Sequence, residues 1–203
     1  MINEGKFPFI HLEIHGSSNK DGLVLNSGQL VTWLELANRL REINILTANN
    51  LTVSLATCHG AYIYREMSLI ERAPFWGFVA PWDEIDEDDV EVSFNSFFDT
   101  LLDTLDFGEA VSRLNSSNNL PYRYHFYNSE AVFDRIWTKY EQESYSPEKF
   151  KKRVLDMMSQ ALTDYNVRTT MTIPQIKHFI ESTLVNEKDL FKKKYRESFL
   201  IGG

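Results

Sequence analysis

The sequence predicts an α/β protein: a mostly parallel sheet flanked by helices, with a helical C-terminal extension. Three observations carry this. Residues 8–15 alternate, with Ile10, Leu12 and Ile14 on one face and His11, Glu13 and His15 on the other, which is the period of a strand. A second apolar run, "LTVSLAT" at 51–57, follows after a crossover of about 35 residues that itself reads as helical. Strand, helix, strand at that separation is the pattern of a parallel βαβ unit. From residue 129 onward, apolar residues recur at helical rather than strand spacing.

Taken in order, residues 16–28 are rich in Gly, Ser, Asn and Asp around a short "LVL", which is loop chemistry. Leu30, Trp33, Leu34, Ala37 and Leu40 give helical spacing over 29–43, and Asn49-Asn50 turn the chain into the second strand. "AYIYREMSLIERA" reads as a helix ending before Pro74, and "FWGFVAPW" as a third strand or an extended loop at the site. Acidic "DEIDEDDVE" leads into a helix marked by Val90, Phe94, Phe97, Phe98, Leu101 and Leu105, followed by a second helix at 108–115. "YRYHFY" at 122–127 is a short aromatic strand. Helices over 129–143, 147–164 and 173–198 complete the chain, with Ser146-Pro147-Glu148 placing a cap and a first-turn proline. The expected organisation is one α/β domain over 1–128 and a helical region over 129–203.

A net charge of −8 disfavours direct nucleic-acid binding, because neutralising phosphates needs a basic surface. The lysines at 149–152 and 192–194 have acids nearby and read as solvated helix faces. No apolar stretch approaches the ~18–20 residues of a membrane span, and "MINEGKFPF" lacks the features of a secretory signal. One cysteine makes no internal disulfide and no cysteine-based metal site. The histidines at 11, 15, 59, 125 and 178 show no metal-ligand spacing. A cytoplasmic protein without metal or cofactor is expected.

Both strands of the βαβ unit end in reactive residues: the first at His15-Gly16, the second at Cys58, the only cysteine. Ligands of open parallel sheets bind outside the carboxyl ends of the strands, so the two side chains project into one region. A thiolate is a working nucleophile, and a neighbouring imidazole can take its proton and return it to a leaving amine. The backbone amides of Gly16 and Cys58 are candidate oxyanion donors, and Gly60 lets the chain leave the strand sharply. Singly, a cysteine is more often a small buried hydrophobe and a His-Gly pair a strand terminus. Together at one sheet edge, they favour a cysteine-histidine dyad.

The order "HLEIHGSSNKDGLVL", helix, "LTVSLATCHGA" resembles the catalytic half of the caspase-like (clan CD) cysteine peptidases, closest in style to the bacterial CHAT peptidases. The resemblance covers residues 8–62 and extends over 75–115; it does not reach 129–203. It implies a caspase-like fold and a thiol protease (a hydrolase) acting on a protein substrate in a regulated bacterial defence pathway, with activity released by a partner. Carried over, Cys58 is the nucleophile, His15 the acid/base, Gly16 and Cys58 the oxyanion donors, and Asp21 a loop organiser. Two features depart from the family. Its fold places two more strands and a helix before the His-Gly strand, and only about eight residues precede it here. That half is dispensable, supplied by a partner, or missing because the chain is a fragment. Metacaspases, which cut after Arg or Lys, are similar at Cys58-His59 but carry an Asp where this chain has Ala56, so a basic-residue preference is not implied. The alternatives are an inactive caspase-like interaction or regulatory module, and a thiol acyltransferase using the same dyad.

The acids at 83–89 read either as a receptor for a basic side chain or, more simply, as an N-cap at Asp86 or Glu87 with first-turn acids complementing the helix dipole. His59 reads as loop chemistry, and His11, ~13 Å from His15 at four extended steps, is too far to share the thiol. Phe75, Trp76, Phe78 and Trp82 either line a cleft or form core under a loop. The terminal "IGG" reads as a flexible tail.

Overall fold

The computed structural model describes residues 7–116 and 123–201. Strand β1 (Phe9–Glu13) and strand β5 (Thr52–Ala56) pair in parallel, with Phe9 opposite Thr52 and Glu13 opposite Ala56. Between them the chain makes a small antiparallel sheet of β2 (His15–Gly16), β3 (Gly22–Val24) and β4 (Leu30–Thr32), then helix α1 (Trp33–Leu46). Strand β6 (Gly77–Pro81) adds to β5 in parallel, and β7 (Tyr124–Asn128) closes the other edge antiparallel to β6. The main sheet therefore runs β1-β5-β6-β7, mixed but mostly parallel.

Alternation along the strands sends side chains into two cores. Val53, Leu55, Phe78 and Ala80 face one side, covered by α1, by helix α4 (Ser129–Ser144) and by the end of helix α7 (Ile173–Phe199). Ala56, Val79 and Tyr124 face the other, under helices α2 (Glu87–Thr104) and α3 (Phe107–Ser116). Cover on both faces is what allows all five residues of β5 to be buried. A third, smaller core of Val154, Ile176, Ile180 and Leu184 joins helix α5 (Pro147–Ala161) to α7, with helix α6 (Tyr165–Thr170) between them. No helix among the described residues is long and apolar enough to cross a membrane.

The register of the βαβ unit has a local cause. Thr32 and Glu35 form a capping box that starts α1: the Glu35 N–H donates to Thr32 Oγ1 at 3.2 Å, and the Thr32 N–H to Glu35 Oε2 at 2.9 Å. Trp33, Ala37 and Leu40 supply the buried stripe, and the next position on it, Asn44, is a fully buried amide. Its Nδ2 donates to the Ala73 carbonyl at 2.9 Å, and its Oδ1 accepts from the Leu51 N–H at 3.1 Å. The helix end is thereby fastened to the entry of β5.

Several elements differ from the expected ones. The strand expected through residue 15 breaks after Glu13, and His15-Gly16 joins the small sheet, opposite Val24 and Leu23. The crossover helix starts at Trp33 rather than 29, because residues 30–32 pair with β3 and Thr32 caps it. The helix expected over 61–73 is a 3₁₀ turn at Gly60–Glu66 that ends where Met67 is extended. The chain beyond is held instead by the Ala73 N–H donating to the Phe199 carbonyl at 2.8 Å. Helix α5 ends at Ala161 rather than 164, and helix α6 fills the gap left between the two expected helices, capped by Asp164 Oδ1 accepting from the Asn166 N–H at 2.8 Å. Tyr122 and the two terminal glycines of "IGG" lie outside the described residues.

Leu55 is fully buried between the sheet and α1. Leu55→Ala is expected to cost ~2–5 kcal/mol in urea denaturation, against about 0.5 kcal/mol or less for Leu46→Ala on the exposed end of α1. Equal effects would contradict this packing.

His11 gives a pH dependence. A 2.6 Å hydrogen bond joins its Nδ1 to Ser54 Oγ, and its ring lies 4.5 Å from that of Phe94. Burial pushes its pKa below the ordinary value of 6.5, with the Glu13 carboxylate opposing. A folded state that binds the proton less readily than the unfolded chain loses stability as pH falls below about 6.5. The melting temperature is expected to drop more from pH 8 to pH 5 in the native chain than in His11→Gln. Parallel curves would exclude His11 as the source.

Candidate functional site

Beyond the last rung of the β1–β5 ladder, Glu13 opposite Ala56, the two strands leave the sheet at the same level. His15 lies two residues past the first and Cys58 two past the second. A cavity of about 430 Å³ opens there, and Glu13, His15, Thr57, Cys58, Ile85 and Glu87 are among the residues that line it.

Cys58 sits in a tight turn closed by the Gly60 N–H donating to the Thr57 carbonyl at 3.0 Å. His59 occupies the left-handed region at φ 59°, which lets the chain turn immediately after the sulfur. Cys58 is half-buried, and its Sγ accepts from the Ile85 N–H at 3.4 Å, with the Ile85 carbonyl oxygen 3.7 Å away. Thr57 is buried, and its hydroxyl has no hydrogen-bond partner among the described residues.

His59 faces away from this cavity and clamps the following loop. Its ring Nδ1 donates to the Trp82 carbonyl at 2.9 Å, its N–H to the Asp83 carbonyl at 3.0 Å, and its Nε2 lies 3.7 Å from Glu84 Oε1. The clamped loop delivers Ile85 to the sulfur and then starts α2 with Asp86 as N-cap, its carboxylate accepting from the Asp88 N–H at 3.1 Å. Glu87, the first helical residue, places Oε1 3.2 Å from His15 Nδ1. Both side chains are largely exposed, so this contact is open to solvent and salt.

Gly16 lies against the Cys58 peptide. A Cβ added there would stand 2.0 Å from the Cys58 carbonyl oxygen, so only glycine permits this approach of β2 to the turn. Asp21 is exposed, and its backbone carbonyl accepts from the Trp33 N–H at 3.0 Å, while the Lys20 carbonyl accepts from the Trp33 indole at 2.9 Å. The loop is thus tied to the start of α1 through main-chain oxygens.

The structure brings His15, Gly16 and Cys58 to one place. No hydrogen bond joins the His15 ring to Sγ among the described residues. Phe75 and Phe78 are core, Trp76 lines a separate apolar groove at the opposite end of the strands, and the Trp82 indole donates to the Tyr127 hydroxyl at 2.9 Å. The residues that sequence reasoning missed are Ile85, as donor to the sulfur, and Glu87, as partner of His15. Their only sequence signal is the acidic run, where an N-cap at Asp86 fixes which acid enters the first turn. Among the described residues, no group of three or more His, Cys, Asp or Glu side chains is arranged to hold a metal ion.

Gly16→Ala is expected to force the β2 segment off the Cys58 turn, because the clash is with backbone atoms that have no rotamer to yield. Amide exchange of residues 14–17 and 57–60 in the variant should accelerate while β6 and β7 stay protected. Unchanged protection around Cys58 would contradict the close approach. No protein-family model matches the chain, and comparisons with curated proteins and with solved structures find no match, so a functional reading rests on the geometry of this site.

Proposed function

We propose that the chain is a caspase-like cysteine endopeptidase acting on a protein substrate through Cys58 and His15. One observation carries the reading: the only thiol and a histidine, delivered by the ends of two adjacent parallel strands, line the same cavity. Cys58 gives its proton to His15, and the thiolate attacks the peptide carbonyl carbon, forming a carbon–sulfur bond. The oxyanion that develops is met by backbone amides, for which Gly16 and Cys58 are the candidates. Collapse breaks the carbon–nitrogen bond, and His15 passes its proton to the departing amine. Water then attacks the thioester, His15 takes up its proton, and the carboxylic acid leaves as the thiol re-forms. Hydrogen bonds between catalytic groups commonly tighten only when substrate binds, so the absence of a ring-to-sulfur bond is compatible with this sequence of steps. The resemblance to the CHAT peptidases adds a regulated role in bacterial defence, with a partner protein releasing activity; the cytoplasmic setting is the one expected from the sequence's apolar patterning and single cysteine.

A second reading, an inactive interaction module, is favoured by a different feature. An apolar groove of about 740 Å³ lined by Phe7, Leu102 and Leu105, all strongly exposed, opens at the end of the sheet remote from Cys58.

Because Cys58 is the only cysteine, alkylation with iodoacetamide reports on it alone. Labelling at pH 6.5 is expected to be fast in the native chain and at least ~10²-fold slower in His15→Ala, in line with the contribution of a positioned base. Incubation with denatured casein should produce new peptide N-termini that Cys58→Ala abolishes. Slow labelling indifferent to His15, with no new termini, would favour the interaction module.

A further inference from the structure

We infer that Glu87 is the positioning residue for His15, so that the site works as a Glu87–His15–Cys58 series in which the start of α2 orients both the imidazole and the sulfur. The inference rests on the peptidase reading above and adds to it a residue that the family resemblance does not supply. Glu87 Oε1 stands 3.2 Å from His15 Nδ1, and this is the ring's only polar contact among the described residues. A ring nitrogen held by a carboxylate fixes the tautomer and the plane of an imidazole, leaving the other nitrogen to accept a proton. With Nδ1 donating to Glu87, Nε2 is the atom that takes the thiol proton, and the carboxylate steadies the imidazolium once it forms.

The supporting geometry belongs to one continuous, hydrogen-bonded segment. His59 pins the backbone at Trp82 and Asp83, Ile85 donates its N–H to Sγ, Asp86 caps the helix, and Glu87 follows in its first turn. The same short segment thus sets where the sulfur sits and which way the histidine faces. The ionisable groups that line the cavity with His15 are Glu13, Cys58 and Glu87. Among the described contacts, Glu13 pairs with His11 at 4.0 Å. The carboxylate in contact with the ring is therefore that of Glu87.

The test is the alkylation rate of Cys58 from pH 5.5 to 9.5 in the native chain, Glu87→Gln, Glu87→Asp, His15→Ala and Asp88→Asn, each first checked for an unchanged melting temperature. Glu87→Gln is expected to label roughly 3- to 5-fold more slowly at pH 6.5, the size of effect an exposed, salt-screened pair sustains, and to converge on the native rate at pH 9.5. Glu87→Asp, which keeps the charge but shortens the reach, should recover part of the loss. Asp88→Asn removes an equal charge from the same turn and should label like the native chain. Slowing by His15→Ala with no change in Glu87→Gln would overturn the role of Glu87 while leaving the dyad intact. Slowing by Glu87→Gln that is equal at every pH, or shared by Asp88→Asn, would reduce Glu87 to a structural acid. If neither His15→Ala nor Glu87→Gln alters labelling, the dyad itself fails and this inference with it.

Discussion

The parallel, in-register pairing of β1 with β5 is the constraint on which the rest of the structure depends. Glu13 opposite Ala56 means that both strands leave the sheet on the same rung, and residues two positions further on line the same cavity. A slip of one residue would turn every side chain to the other face. That slip is resisted from both directions. Val53 and Leu55 bury toward α1, Ser54 meets His11 across the pair, and Asn44 fixes the height at which β5 begins. The sheet's register thus brings both chain segments of the site to one end of the sheet.

The second constraint is the segment from Trp82 to Glu87. It follows β6, the strand on the far side of β5 from β1, and crosses above β5 to reach both the sulfur and the histidine. What holds it is His59, buried and left-handed immediately after Cys58. The residue that shapes the turn at Cys58 therefore also anchors the loop that contacts the sulfur. A glycine at 59 would suit the turn but could not clamp Trp82, which explains why the chain accepts the backbone cost of a non-glycine residue there.

Much of this was legible before any coordinates. The alternation of residues 8–15, the buried run at 51–57 and the crossover length between them implied the parallel pair, and with it the meeting of His15, Gly16 and Cys58. The N-cap at Asp86 was legible because acids before an apolar helical stripe have a local meaning. What escaped was set by tertiary contacts. The break at Ile14 exists because residues 15–16 find partners in β3, a pairing that no periodicity encodes. The start of α1 was readable from the Thr32–Glu35 capping box but was masked by apolar Leu30, whose place is in β4. The chain after the 3₁₀ turn is tied at Ala73 to the carbonyl of Phe199, more than a hundred residues downstream. Glu87 could not be singled out from its acidic neighbours, because its partner is 72 positions away and only the fold brings them together.

The energetics around Cys58 argue that packing alone did not choose these residues. A left-handed non-glycine residue costs ~1–2 kcal/mol, and position 16 is confined to glycine because any Cβ would meet the Cys58 carbonyl oxygen. A buried hydroxyl without a partner costs about 1–3 kcal/mol, and that of Thr57 has none among the described residues. Thr57 and His59, the two chain neighbours of Cys58, carry these costs, and Gly16 lies against the Cys58 peptide. A sequence shaped only to fill the end of a sheet would replace the hydroxyl with a valine and open the turn with a glycine. Left-handed residues also stand at Lys20, Ala48, Asn49, Leu105 and Ile201; what sets this turn apart is that a left-handed residue and a buried hydroxyl with no partner among the described residues flank one thiol. The group presented at this point in the fold is the sulfur of Cys58, with the ring of His15 lining the same cavity.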